Sequence, residues 1–242
     1  WDDPERARFV LRRRLRKLGH RLERLSPAGV QSNWTEYMDD LPYTEIEFAD
    51  KEEFVRTCLS RHQPKRVLDI GCNTGNFSLL AAESGASVVA VDSDPAVVGE
   101  TWRRAAAEGR DVLPLVQNLA WPSPPTGWNN AENPSFLERA AGQFDAVFML
   151  ALLHHLMVRE TVPLKKIIDL AADLATDHAI IEFISPDDAN FRRISRGRDA
   201  LFGDLTEETF EAACLARFEI VDSRPLANGT RRIYELAVRP ST

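Results

Sequence analysis

The chain has 242 residues, of which 44% are apolar and 28% charged, with a formal net charge of −7; these are the proportions of a folded domain, not of a disordered or collagenous chain. No apolar run approaches the ~18 residues of a membrane span, and no signal peptide is visible. Three scattered cysteines, Cys58, Cys72 and Cys214, form neither a C-x-x-C pair nor a metal spacing, so a disulfide scaffold is excluded and a reducing, cytoplasmic compartment is expected.

The first 25 residues stand apart. They carry nine Lys/Arg against four Asp/Glu, a local +5 that leaves −12 on the remainder. Leu11, Leu15, Leu18, Leu22 and Leu25 step by four and three residues, which predicts a helix with one leucine seam. The seam suits packing on the chain's own domain with solvated arginines outside. The functional alternatives are an anionic membrane surface, nucleic acid, a dimer contact or a preceding domain. The acidic remainder argues against nucleic acid as the substrate. A chain that opens on Trp1 instead of methionine is also expected to be a piece of a longer protein. Residues 26–43 read as an irregular connector holding Trp34, Tyr37, Met38 and Tyr43, aromatics that either anchor on the core or cover a ligand. Residues 1–45 are thus set apart from a domain over 46–242.

A helix is expected over 51–61, with Phe54, Val55, Cys58 and Leu59 inward, broken by Gln63-Pro64. Residues 67–92 then give an apolar run ending Asp69-Ile70-Gly71, a glycine turn to Gly75, an apolar-periodic segment, and a second run ending on Asp92. That is a βαβ unit of a parallel sheet. Gly71 and Gly75 allow close backbone approach, and free N–H groups at the helix start favour an electron-rich ligand. An acid at the end of the second strand accepts hydrogen bonds from ribose hydroxyls. A dinucleotide fold would want G-x-G-x-x-G, which Gly71-Cys72-Asn73-Thr74-Gly75 fits badly, and no lysine follows Gly75 to make a phosphate loop. A bland α/β turn stays open on spacing alone. The turn resembles motif I of the class I S-adenosylmethionine-dependent methyltransferases, an acid-x-Gly-x-Gly-x-Gly run with Asn73 at the middle glycine. That resemblance implies Asp69, Gly71, Cys72, Asn73, Gly75, Asp92 and Ser93 as cofactor-binding residues.

Ser93-Asp94-Pro95 starts a helix running to about Gly109, and residues 112–116 read as a third strand. By the same resemblance, Asn118 takes the adenine amino group and Leu119 packs on the ring. Residues 121–134 form a loop closed to regular structure by Pro122, Pro124 and Pro125. Trp121, Trp128, Asn129 and Glu132 are its candidate substrate contacts, unless the tryptophans serve only to pin the loop. Residues 144–149, F-D-A-V-F-M, read as the fourth strand and lead into Leu150-Ala151-Leu152-Leu153-His154-His155, which resembles motif IV of the same family and implies Met149 and Leu150 beside the methionine part of the cofactor. A helix over 162–175, a strand over 178–184 containing Glu182, a helix ending near 210–213, and a closing hairpin of strands 218–221 and 232–238 complete the pattern. The expected fold is therefore a Rossmann-like seven-stranded α/β sandwich, mostly parallel with an antiparallel C-terminal hairpin.

Over residues 33–238 the runs W-x-x-Y, G-C-N-T-G, N-L-A-x-P-S-P, G-W-x-N-x-E and A-L-x-H-H-L, with Lys51, resemble the nodulation-type (NoeA-like) bacterial methyltransferases. In that group the methyltransferase unit is often the C-terminal part of a longer protein. The resemblance implies S-adenosyl-L-methionine as cofactor, Trp34, Tyr37 and Lys51 closing over it, and a small-molecule or glycan-like acceptor methylated at oxygen. A hydroxyl acceptor wants a base, for which histidine is the default. His154 falls where plant small-molecule O-methyltransferases carry theirs, with His155 and Glu182 as further catalytic candidates and no metal. Two other readings remain: a cofactor-binding scaffold without catalysis, and methyl transfer to carbon or nitrogen.

Overall fold

In a computed structural model, residues 3–23, 45–227 and 229–239 are described. By compactness the chain divides into residues 1–31 and 32–242. The first unit holds helix α1, Pro4–Glu23, whose Asp3 carboxylate accepts from the backbone N–H groups of Glu5 and Arg6 and so caps its open end. The seam residues Leu22 and Leu25 and the connector residues Trp34, Tyr37, Met38 and Tyr43 lie outside the side chains described.

The second unit opens with α2 (Glu45–His62), longer at both ends than the expected helix. It continues through β1 (Arg66–Ile70), α3 (Asn76–Glu83), β2 (Ser87–Asp92), α4 (Pro95–Glu108), β3 (Val112–Val116), α5 (Phe136–Ala140), β4 (Phe144–Met149), α6 (Leu153–Val158), α7 (Leu164–Leu174) and β5 (Ala175–Ile184). The last elements are α8 (Ala189–Ser195), α9 (Glu207–Leu215), β6 (Phe218–Pro225) and β7 (Arg231–Val238). The seven strands form one sheet in the order β3-β2-β1-β4-β5-β7-β6. β1 to β5 run parallel, and β7 pairs antiparallel with both β5 and β6. This is the Rossmann-like seven-stranded α/β sandwich expected from the sequence, mostly parallel with an antiparallel C-terminal hairpin.

Local chemistry explains most boundaries. Asp94 caps α4 by accepting from Ala96 N (2.8 Å), Pro95 occupies the first turn, and Gly109 ends the helix at φ +62°, the start and stop signals that made this helix readable. Thr206 and Thr209 cap α9 reciprocally. β5 starts at Ala175, three residues before the expected position and with no loop after α7, because the apolar pair Leu174-Ala175 suits the end of a helix and the start of a strand equally. β6 extends to Pro225 across a register shift between Ile220 and Asp222. Loop 121–134, expected to lack elements, holds a 3₁₀ turn (Trp128–Asn130) and an isolated Thr126–Asn133 bridge.

Helices cover both sheet faces. On one, Ile167, Ile168, Ala171 and Leu174 of α7 and Phe210 and Cys214 of α9 meet Leu68, Val147, Ile181 and Tyr234. On the other, Phe54, Val55, Cys58 and Leu59 of α2 and Leu80 and Ala81 of α3 meet Val67, Phe148, Ile180 and Ile233. All three cysteines are buried thiols. β3 is an outer strand with Pro114 at its centre, and Leu113 and Val116 beside it are exposed. No helix among the described residues is long and apolar enough to cross a membrane.

Candidate functional site

The strand order reverses between β1 and β4, and in open α/β sheets that crevice, at the carboxyl ends of the strands, is where ligands bind. A cavity of about 220 Å³ lies there. Of the residues singled out from sequence, Lys51, Asp69, Gly71, Cys72, Asn73, Asp92, Ser93, Asn118, Leu119, Leu150 and His155 line it.

Its floor is the turn after β1. Gly71 (φ +77°), Asn73 (φ +48°) and Gly75 (φ +81°) hold the left-handed conformations that fold the chain back within five residues. A Cβ on Gly75 would stand 2.5 Å from Thr101 Cγ2 on α4, and one on Gly71 would stand 3.1 Å from Leu152 Cδ1. Gly75 does not line the cavity; it is a close-packing position under the start of α3. Two α4 side chains missed in the sequence secure the turn from beneath. Thr101 Oγ1 donates to Asn73 O (2.8 Å), and Arg104 donates to Thr74 O and Asn76 Oδ1 (both 2.6 Å). Asp92 accepts the N–H groups of Asn73 and Asp94, each at 3.0 Å, which fixes its carboxylate at the lip of the turn. Asn73 Oδ1 is buried here with no hydrogen-bond partner among the described residues, a state that a bound donor would relieve.

Asp69 is buried at the end of β1 and accepts from Ser78 Oγ at 2.5 Å. Burial, opposed by that hydrogen bond, pushes its carboxyl up to about 6. A carboxyl raised from ~3.9 in the unfolded chain binds more protons when folded, so its stabilisation is complete below ~4, is lost as pH rises through the folded value, and amounts to about 3 kcal/mol. Asp69→Asn is therefore expected to reduce the fall in stability of the ligand-free protein across that window. Equal slopes for both proteins in urea unfolding at stepped pH would show that the carboxyl ionises as in solvent.

On the adenine side of the expected arrangement, Asn118 Oδ1 accepts from Ala120 N (2.9 Å) and Ser123 Oγ donates to Gln117 Oε1 (2.6 Å). Gln117 also lines the cavity and was missed, since a glutamine after a strand carries no signal by itself. Burial does not support the alternative that the tryptophans only pin the loop. Trp121 is 76% and Trp128 84% exposed. Trp121 Nε1 instead donates to Glu160 (3.0 Å), a residue of the cavity wall.

The three catalytic candidates separate. Glu182 is fully buried and does not line the cavity; it accepts from Lys51 Nζ and Ala151 N, both at 2.7 Å, with Arg231 at 3.5 Å. Ala151 sits at φ +52°, so this carboxylate holds a strained turn at the end of β4, a positioning task. Arg231 in turn donates to Asp188 at 2.7 and 3.0 Å. His154 is 1% exposed and packed on the rings of His155 and Phe191; among the described residues neither of its ring nitrogens has a hydrogen-bond partner. Its ring is a core side chain. His155, one step round α6, is the histidine at the cavity wall. Met149 points into the core, because β4 ends there and the turn at Ala151 presents Leu150 and Leu152 to the cavity instead.

A family model described as a methyltransferase domain matches residues 11–208. The chain belongs to that methyltransferase family. With the family come methyl transfer as the reaction class and S-adenosylmethionine as the cofactor. The nodulation protein NoeA of Rhizobium meliloti (strain 1021) is 33% identical over 85% of this chain, which spans only 43% of that relative's length. Among solved structures, the N-methyltransferase NodS of Bradyrhizobium japonicum WM9 is similar with TM-score 0.57 at 17% identity, covering 84% of this methyltransferase and 99% of NodS. The magnesium protoporphyrin IX methyltransferase ChlM of Synechocystis PCC 6803 with bound S-adenosylhomocysteine also gives 0.57, at 20% identity over 80% of this chain and 84% of its own. At those identities the two structures speak for the fold.

Proposed function

We propose that this methyltransferase binds S-adenosylmethionine in the cavity at the β1–β4 crevice and transfers its methyl group to a hydroxyl oxygen of a small or glycan-like acceptor. The observation that carries the cofactor half is the Asp92 carboxylate at the lip of the glycine turn, held by two backbone N–H groups. Asn73 Oδ1 beside it, without a hydrogen-bond partner among the described residues, suits a ligand donor. Each Asp92 oxygen keeps a lone pair for a ribose hydroxyl. Asn118 offers its amide to the adenine edge and Leu119 its side chain to the ring. Lys51 brings a positive charge to the wall where the amino-acid end of the cofactor would lie. Bound there, the cofactor supplies an activated methyl group, and the protein has only to align the acceptor and remove one proton.

His155 is the group for that proton. It is the histidine on the cavity wall. Burial, then the charge of Arg159, lowers the ring to about 3. It is therefore uncharged throughout the neutral range and accepts a hydroxyl hydrogen bond. So weak a base acts once the oxygen has begun to bond to the methyl group and its proton has become strongly acidic. His155→Gln is expected to lower kcat about 100-fold with cofactor affinity intact, and the rate should show no limb near pH ~6–7, unlike an ordinary histidine base. A pH-rate limb in that range, or normal turnover by the variant, would remove His155 from this role.

The exposed Trp121, bonded to Glu160 of the cavity wall, supports the acceptor class, because a flat aromatic face beside a cavity suits the apolar faces of sugar rings. Titration calorimetry with S-adenosylmethionine, S-adenosylhomocysteine and NAD tests the cofactor. Labelled cofactor incubated with undermethylated glycan and small-molecule pools tests the acceptor. Binding of NAD alone would sink the first half, and label recovered only on nitrogen or carbon the second.

A further inference from the structure

A second cluster of chemistry-bearing side chains lies at the other end of the strands. His62 is the last residue of α2, His178 lies in β5 and Glu235 in β7. The register puts Glu235 opposite Ile180, so His178 and Glu235 share the sheet face that α2 covers, two residues apart along the ladder. One ligand atom from each of the three stands within 4.8 Å of the others. His62 Nε2 meets Glu235 Oε1, and the His62 and His178 rings lie 3.7 Å apart between centroids. They open on a separate cavity of about 340 Å³.

Glu235 is wholly buried, and its Oε2 accepts from Arg61 at 2.6 Å and Cys58 Sγ at 3.2 Å. Those two donors fix the carboxylate so that Oε1 faces the imidazoles, the outer-shell orientation that ligating carboxylates have in metal sites. Both histidines are only part-buried, so an ion has a way in. Two imidazoles and one carboxylate suit zinc and neighbouring transition ions; magnesium and calcium prefer oxygen alone. Donors on a tetrahedral ion with bonds of ~2.0–2.1 Å stand roughly 3.4 Å apart, so an ion would separate His62 Nε2 from Glu235 Oε1 and turn the two imidazole rings toward itself.

We propose that His62, His178 and Glu235 form a binding site for one divalent transition ion of the zinc class, which clamps the end of α2 to β5 and β7. The site is independent of the cofactor cavity, and α2 connects the two: its first half carries Phe48 and Lys51 on the cavity wall, and its last residue would ligate the ion.

The test uses the full chain without an affinity tag, stripped by chelator and titrated with zinc chloride alone, followed by calorimetry, metal analysis after dialysis and thermal unfolding. One equivalent retained through dialysis, with a raised unfolding midpoint and no such effect from magnesium chloride, is the expected result. His178→Ala and His62→Ala, at part-buried positions that tolerate truncation, should each weaken zinc binding at least tenfold. Their S-adenosylmethionine affinity reports whether they are folded. Failure of the folded native chain to retain zinc would overturn the site, as would undiminished binding by the double variant; the His62–Glu235 contact would then be only a hydrogen bond.

Discussion

Asp92→Ala is expected to weaken S-adenosylmethionine binding about 30- to 1,000-fold, the equivalent of about 2–4 kcal/mol, through loss of charge-assisted bonds to the ribose hydroxyls. Burial raises the Asp92 carboxyl, while the backbone N–H groups of Asp94 and Asn73 pull it down; bonds to ribose would favour the charged form further. The alanine variant also releases two N–H groups of the turn. Asp92→Asn therefore belongs beside it, since it keeps one acceptor oxygen in place and should fall between the native protein and the alanine variant. Calorimetry with S-adenosylhomocysteine, on variants shown to be folded, makes the comparison. Native affinity in a folded Asp92→Ala protein would mean that the ribose lies elsewhere.

The second large effect belongs to Glu182. Its carboxylate is the close counter-charge of Lys51 (2.7 Å), with the Arg231 guanidinium at 3.5 Å, and both cations are buried. Truncating one partner of a buried ion pair costs about 3–5 kcal/mol, because the other charge stays behind in a medium that solvates it poorly. Glu182→Ala should therefore lower the unfolding midpoint by ~6–20 °C in a domain of this size. Lys51 is already held below its ordinary value by desolvation, with Glu182 opposing that shift, so loss of the glutamate drives it toward the neutral amine. Adding Lys51→Met should recover much of the loss, and a double-mutant cycle measures the coupling. A single variant as stable as the native chain would mean that the pair contributes no net stability.

How much of this was readable in the sequence depended on how far apart the partners lie along the chain. The β1-turn-α3-β2 unit was legible because its information is local: an apolar run, two glycines that the turn's positive φ requires, and an acid at the end of the next strand. The limits of α4 followed from Asp94, Pro95 and Gly109 in the same way. The choice between His154 and His155 was not legible. In a six-residue helix there is too little periodicity to say which of two neighbours faces the cavity, and the unusual turn at Ala151 sets the answer. Nor could Glu182 be recognised as the holder of that turn, since its partner Lys51 lies 131 residues away. Thr101 and Arg104 brace the glycine turn from 28 and 30 residues downstream and look, in the sequence, like ordinary helix-surface residues. His62 and Glu235, 173 residues apart, meet only because α2 packs across the sheet face on which β7 carries Glu235.

The outer strand β3 has a consequence for how copies of this chain can meet. Gln117 N donates to Asp92 O and Asp111 O accepts from Val88 N, so the odd-numbered positions of β3 bond inward to β2 and the even-numbered ones face away from the sheet. Pro114 is at the centre of that outward row. A strand arriving from another molecule would find no N–H there and would meet the proline ring within a five-residue edge, so the ladder cannot template its own extension. Leu113 and Val116 are therefore exposed on a border of the sheet that does not support fibre-like growth.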